Sequence, residues 1–266
     1  MARPDSATVE LRALAPSLKE ALAQKLLAMG DDELLLAHRD SEWCGHAPIL
    51  EEDIAFANIA QDELGHAGLW YGLLQELDGS EPDQLVFFRP AQAFRNARML
   101  ELPNGDWAFS MLRQYLFDSY EMIALEELAA SALQPLAHAA AKARREEIYH
   151  LRHTQSWVQR LGLGTDESNH RMQLALEQLW PYATQLFAPL DTDQRLIDAA
   201  ILPSLPELAS RWTASVTSWL EASGLDVVAA QVKEEPAAGR DVHTEHLPPL
   251  IEELQVVART DAGASW

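Results

Sequence analysis

Glu63 and His66 stand three residues apart in the stretch QDELGHA, inside an apolar run with helical spacing, and Glu147 and His150 repeat that spacing in REEIYHLRH. On a helix, positions i and i+3 share a face, so each Glu-x-x-His projects as a unit. Three readings are open to such a pair: a solvated ion pair, a satisfied pair in the core, or half of a metal site. Around Glu63 and His66 the same face continues through Phe56, Ile59 and Trp70, which makes it a core face. A carboxylate precedes each motif at nearly the same offset, Glu33 by 30 residues before Glu63 and Asp118 by 29 before Glu147. The chain therefore carries one pattern twice: a carboxylate on one long helix, then Glu-x-x-His on the next.

Together, Glu33, Glu63, His66, Asp118, Glu147 and His150 would put four carboxylates and two imidazoles inside a helical bundle. Buried charges without partners are strongly penalised, so something must neutralise them. Two divalent cations balance four carboxylates if both histidines are neutral. A carboxylate-rich, thiolate-free set favours iron or manganese over structural zinc. Ferritin-like di-iron and di-manganese bundles divide their ligands in this way, a carboxylate from each of two helices and a Glu-x-x-His from each of two others. Asp118 is one methylene shorter than the usual glutamate, and Glu121, one turn on, competes with it for the role. The bland alternative is a set of coincidental salt bridges in an acidic bundle.

Other groups of similar composition have simpler readings. Glu167 and His170 repeat the spacing beside GLGTD, where Thr165 or Asp166 can cap a helix and the dipole favours an acid in the first turn. That pair is expected at a solvated helix start. His243 and His246, in HTEH, lie outside the repeated helices and suit surface or interface contact. His153 shares a face with His150 and suits a supporting or surface position. Trp43, Trp107, Trp157 and Trp180 are read first as core or interface anchors. No Gly-rich phosphate loop, Gly-x-Ser-x-Gly elbow or His-Glu-x-x-His helix is present.

The elements that must hold these residues are long helices. Apolar residues recur at helical spacing from about Pro16 to Arg39, and Pro48 opens a second run reaching about Leu77. A region rich in Pro, Gly and Asn, 78–106, leads to a third run near Asp106, and a fourth follows Pro135 to about Leu161. GLGTDESN breaks the pattern; further runs cover about 166–187 and 204–222. KEEPAAGRD is expected as an exposed loop before a last helix near 247–259. With strand-like alternation nearly absent, the expected fold is an all-α, ferritin-like bundle of long antiparallel helices. One domain spans 1–266, with a core at about 16–161 and additional helices at about 166–259.

Composition bounds the partners. Asp and Glu number 41 against 20 Lys and Arg, a formal charge of −21 that repels phosphate backbones and anionic membranes. Neither nucleic acid nor membrane is expected as a partner. Apolar residues make up 48% of the chain, enough for a sizeable core. A single cysteine, Cys44, excludes an intrachain disulfide and Cys-rich zinc sites and suits a cytoplasmic, reducing setting. The start, MARPDSATVELRALAP, has no apolar core of signal-peptide length.

The stretches SEWCGHAPILEEDIAFANIAQDELGHA, GDWAFSMLRQYLFDSYE, REEIYHLRHTQSW, GLGTD and HTEHL resemble the ferritin-like subunits of the multicomponent ring 1,2-phenylacetyl-CoA epoxidase. The resemblance covers most of the chain. Matching the motif of the catalytic A-type subunit implies that Glu33, Glu63, His66, Asp118, Glu147 and His150 hold a pair of iron ions, with manganese as the alternative. SEWCGHAP, HTEHL and the overall length resemble instead the C-type subunit, whose ligands are usually eroded and which accompanies the A-type chain as a structural partner. The implied reaction inserts one oxygen atom of O₂ into the aromatic ring of phenylacetyl-CoA, with electrons from a separate reductase.

Three readings follow. The first is an epoxidase subunit of C-type lineage that binds a metal pair, in complex with an A-type chain in the cell or as a homodimer when alone. The second is a metal-free scaffold for the catalytic chain. The third is a stand-alone ferroxidase or iron-storage bundle, against which SEWCGHAP and HTEHL argue. Trp43 and His243 to Leu247 are the expected docking residues. The basic clusters evident for coenzyme A phosphates are Lys142, Arg144 and Arg145, or Arg95 and Arg98, which leaves that surface to a partner subunit.

Overall fold

The computed structural model of the chain describes residues 6–231 and 239–263. The described residues form eleven α-helices: α1 (Ser6–Ala13), α2 (Pro16–Ser41), α3 (Leu50–Asp78), α4 (Pro82–Phe87), α5 (Trp107–Leu128), α6 (Gln134–Gly162), α7 (Asp166–Ala183), α8 (Asp193–Asp198), α9 (Leu205–Ala222), α10 (Val227–Gln231) and α11 (Leu247–Thr260). There is no strand among them, as expected. Most of the KEEPAAGRD stretch lies outside the described residues. The short helices α1, α4, α8 and α10 were not expected, because five to eight residues give too few turns for a periodic signal. Leu11 of α1 is nonetheless buried.

Local chemistry sets the ends of the long helices. Prolines occupy the first turns of α2 and α6, where their missing N–H costs nothing. Glu51, Glu52 and Asp53 meet the positive end of α3, and Gly79, at φ 86°, takes the left-handed conformation that stops it. Asp106 caps α5 by accepting from the Phe109 N–H at 3.0 Å.

Pairwise contacts fix the topology. Asp31 meets Tyr71 while Glu33 meets Trp70, so α2 and α3 run antiparallel. Glu52 meets Trp157, Asp62 meets His150 and His66 meets Glu146, so α3 and α6 do too. Asp118 pairs with Thr154 and Glu126 with Arg144, giving an antiparallel α5 and α6. Trp43 with Ser110 and Asp40 with Arg113 set α2 against α5 in the same sense. It follows that α3 and α5 are parallel, and the connection 79–106 must travel back along α3, a 29-residue helix of about 43 Å at 1.5 Å per residue. One long crossover within four antiparallel helices is the ferritin-like arrangement.

The crossover is fastened by acids that the repeated spacing does not single out. Asp31 accepts from the Tyr71 hydroxyl at 2.6 Å, the Arg95 N–H at 2.7 Å and the Arg89 guanidinium. Asp32 accepts from the Ala97 N–H and from Arg240, each at 2.6 Å. Gly30 lets α2 and α3 approach closely enough for this: a Cβ there would lie 2.5 Å from the Tyr71 ring.

The additional helices close over α5. Trp180 of α7 stacks on Trp212 of α9 at 5.7 Å, and the Trp212 indole donates to the Leu116 carbonyl. A continuous apolar cluster runs from Leu34 and Phe117 through these residues to Ile251 of α11.

Candidate metal centre

Where the four long helices face one another, Glu33 of α2, Glu63 and His66 of α3, Asp118 and Glu121 of α5, and Glu147 and His150 of α6 converge, all buried. Each histidine turns Nδ1 toward the centre and Nε2 toward an acid at its edge. His66 turns Nδ1 inward, 3.4 Å from Glu63, 3.7 Å from Glu147 and 3.8 Å from Glu33. Its Nε2 meets Glu146 at 2.8 Å. His150 turns Nδ1 toward Glu147 at 2.8 Å and Glu63 at 3.5 Å, and its Nε2 meets Asp62 at 3.2 Å. A carboxylate that takes the outer N–H leaves the inner nitrogen lone pair for a metal, the usual support of a ligating histidine.

Burial without a counter-ion distorts every titration here. Burial, then Glu63, pushes Glu33 up to about 8. Glu147 rises to about 8 for the same two reasons. Burial also raises Asp118 and Glu121 well above the carboxylate range, reinforced by Glu147 and by Glu33 respectively. Burial acts to raise Glu63 too, but its contacts with His150 and His66 prevail and lower it. Burial would lower both histidines; the carboxylates around them raise both instead. Without metal, protons do the neutralising, and bound cations would displace them.

The donors fit such cations. Glu33 Oε2, Glu63 Oε2, Glu121 Oε2, Glu147 Oε2 and His66 Nδ1 are buried with no hydrogen-bond partner. Polar atoms abandoned in this way are costly unless something else binds them. Three sets each place one donor atom per residue within 4.8 Å of one another: Glu33, Glu63 and His66; Glu63, Glu147 and His150; His66, Glu121 and Glu147. Glu63, Glu147 and His66 belong to two sets each, so the three sets form one continuous group of donors.

Asp118 is outside these sets. Its Oδ1 accepts from Gln114 at 2.8 Å and its Oδ2 from Thr154 at 2.7 Å, while the same Gln114 amide donates to Glu63 at 2.7 Å. It nevertheless holds the place in the second half that Glu33 holds in the first. Trp70, four residues after His66, donates to Glu33, and Thr154, four residues after His150, donates to Asp118.

Asp62, Glu146, Gln114, Thr154 and the bond from Trp70 to Glu33 are what sequence reasoning missed around the centre. A signal existed for the first two: each Glu-x-x-His is preceded directly by an acid, in DELGH and EEIYH. The remaining three become visible only through contacts between helices.

The other groups fall elsewhere. Glu167 sits in the exposed first turn of α7, bonded to Arg171, beneath a capping box made by Thr165 and Ser168. His170 is exposed. His153 stacks on Tyr149 and lies 3.0 Å from Glu52, away from the centre. Of the expected docking residues, Glu245 is exposed, Trp43, His243, Thr244 and His246 are half-buried, and several make internal contacts. His243 and Thr244 bind the buried Glu101 at 2.6–2.8 Å, and Leu247 is buried. Trp43 donates to Ser110 and packs edge-on against Trp107, which also touches Phe56 and Trp157. This aromatic cluster lies at the end of the bundle where α2 gives way to α3. Arg95 is spent on the Gln92 and Phe94 carbonyls, and Arg98 lies over the Tyr182 ring.

Residues 9–266 match the family described as "Phenylacetic acid catabolic protein". The chain is 37% identical over 241 residues to the C subunit of 1,2-phenylacetyl-CoA epoxidase of Escherichia coli K12, covering 90% of this chain and 97% of that one. It is 23% identical over 152 residues to the A subunit of the same organism's epoxidase, covering 57% of this chain and 49% of that one. With the whole helical bundle and its acid and histidine centre inside the matched region, the chain belongs to the phenylacetic acid catabolic protein family.

Proposed function

We propose that this chain is a subunit of a multicomponent monooxygenase that epoxidises the ring of phenylacetyl-CoA, and that it binds two metal ions of its own. The first half of the reading is supported by the match to the C subunit of the bacterial epoxidase along nearly all of that protein. The second is carried by one observation: four carboxylate oxygens and a ring nitrogen, buried and unpartnered, meet between four helices. Glu33, Glu63, His66, Asp118, Glu147 and His150 are the proposed ligands, and two iron ions, or manganese, the proposed metals. A bound iron pair supplies redox chemistry with dioxygen. The chain's own part is to hold those ions with carboxylates, keep the proton of each histidine on Nε2 as a donor to Glu146 or Asp62, and exclude water with the aromatic cluster around Trp107.

The reading includes a catalytic A-type chain as partner, a reductase as electron source, a homodimer when the chain is alone, and a cytoplasmic setting. The whole chain is taken as one folding unit, since its C-terminal helices share the apolar cluster of α2 and α5. A second reading, a metal-free structural partner, is favoured by the stronger likeness to the C subunit than to the A subunit.

Metal analysis of protein loaded anaerobically with iron, followed by spectroscopy on exposure to air, separates the two. Two ions per chain are expected. Coexpression with an A-type chain should give a stable complex and ring epoxidation in the presence of reductase. Steady turnover by this chain with reductase alone would make it the catalyst and overturn the partner reading.

A further inference from the structure

The two halves of the centre repeat one pattern, and a strict repeat would make two equal metal positions. Glu121 breaks the repeat. It lies three residues after Asp118, and the corresponding residue three after Glu33 is Leu36, an apolar core residue. One position therefore has an additional carboxylate with no counterpart at the other. Glu121 offers an oxygen within 4.8 Å of donor atoms of both His66 and Glu147, and its Oε2 is buried and unpartnered. On the same side, His66 Nδ1 and the Oε2 atoms of Glu33 and Glu63 are also unpartnered.

The other side has unpartnered oxygens only on Glu63 and Glu147, which also belong to the sets of His66, and its own remaining donors are occupied by internal contacts. His150 Nδ1 is engaged with Glu147 at 2.8 Å, and both Asp118 oxygens accept hydrogen bonds, from Gln114 and Thr154. A cation arriving there must compete with those bonds or share their lone pairs. Affinity for a hard cation rises with the number of charged ligands and with how little they must rearrange. Both terms favour the side of His66.

We infer that the two metal positions are unequal, and that Glu121 is the extra donor that makes the position beside His66 fill first. This rests on the reading that the centre holds two metal ions. The repeated motif alone does not contain it, because Glu121 has no partner in the repeat.

The test is a titration of the metal-free, full-length chain with Mn²⁺, followed by calorimetry and by electron paramagnetic resonance. The expected result is two binding steps with dissociation constants on the order of tenfold apart or more. An isolated-ion manganese signal should reach one per chain before a coupled-pair signal grows. Glu121→Gln, which keeps the size and removes the charge, should weaken the first step and bring the two constants together. His150→Ala should remove the second step and leave the first. Two equal steps in the unmodified chain, or a coupled pair forming from the first addition, would overturn the inference without need of any variant. So would a Glu121→Gln chain, folded by circular dichroism, with its first step unchanged. Binding of no manganese or iron at all would instead overturn the metal reading beneath it.

Discussion

The outer nitrogen of His66 lies 2.8 Å from the Glu146 carboxylate, which comes from the helix carrying the other Glu-x-x-His motif. Asp62 and His150 form the reciprocal pair. Each Glu-x-x-His motif is thus oriented by the acid that precedes its twin, and both acids are about two-fifths exposed, with side-chain accessibility of 42%. The polar centre reaches the surface of the α3 and α6 face through these two carboxylates.

Removing one of them should loosen the ring it holds. Glu146→Ala is expected to weaken metal binding by about 10-fold to 100-fold, the usual cost of losing such a support. Two ions should still bind at saturation. A calorimetric titration giving unchanged constants would show that Glu146 plays no part in orienting His66.

Glu63 and Glu147 each belong to two of the three donor sets, so their joint loss should leave neither position intact. The double substitution to alanine is expected to abolish metal binding, measured as ions per chain after gel filtration. A full complement in that variant would place the metals elsewhere.

On the two-metal reading, chelation should lower the melting temperature, because a centre assembled only in the folded chain couples metal binding to folding. At free metal several hundred times the dissociation constant, the linked stabilisation is about 3–4 kcal/mol. Calorimetric scans with and without chelator check it, and coincident melts of loaded and metal-free protein would argue against a site coupled to the core.

The metal-free chain should become less stable as pH rises from 6 to 8. Glu33 and Glu147 titrate near 8 when folded, against an ordinary value of 4.5. Across that interval the folded chain holds more protons than the unfolded one, so stability falls with rising pH. His66 and His150, raised above 6.5, act in the same sense, their contribution complete below that value and lost as pH climbs. Glu63, which is lowered, contributes above 4.5 and is constant over this range. A melting temperature that increases from pH 6 to pH 8 in chelator would contradict the assignment.

Gly30→Ala should destabilise the fold through α2 and α3 alone. The added methyl meets Tyr71 at 2.5 Å, and Tyr71 is held by its bond to Asp31, so the ring cannot yield freely. A cost of about 1–3 kcal/mol is expected, the range for overpacking a filled core. Urea denaturation provides the measurement.

What the chain determined by itself is whatever depends on short intervals along it. The i and i+3 spacing put Glu63 with His66 and Glu147 with His150 on shared faces, and apolar periodicity marked the long helices, because both follow from helix geometry within a single element. The recurrence of a carboxylate about 30 residues upstream marks the pairs α2 with α3 and α5 with α6, which pack together because each pair is consecutive in the chain and joined by a short connection. Tertiary structure decided everything that depends on rotation and translation between helices. Asp31 and Asp32 look equivalent to Glu33 in sequence, yet a turn of about 100° per residue sends them to the crossover and Arg240 while Glu33 enters the centre. His243 reads as a surface residue beside other polar groups, and only the crossover's return path brings Glu101 to it. Asp118 and Glu121 lie one turn apart on one face of α5. Asp118 is engaged by Gln114 and Thr154 while Glu121 keeps an unpartnered oxygen, a difference of packing that no spacing rule encodes.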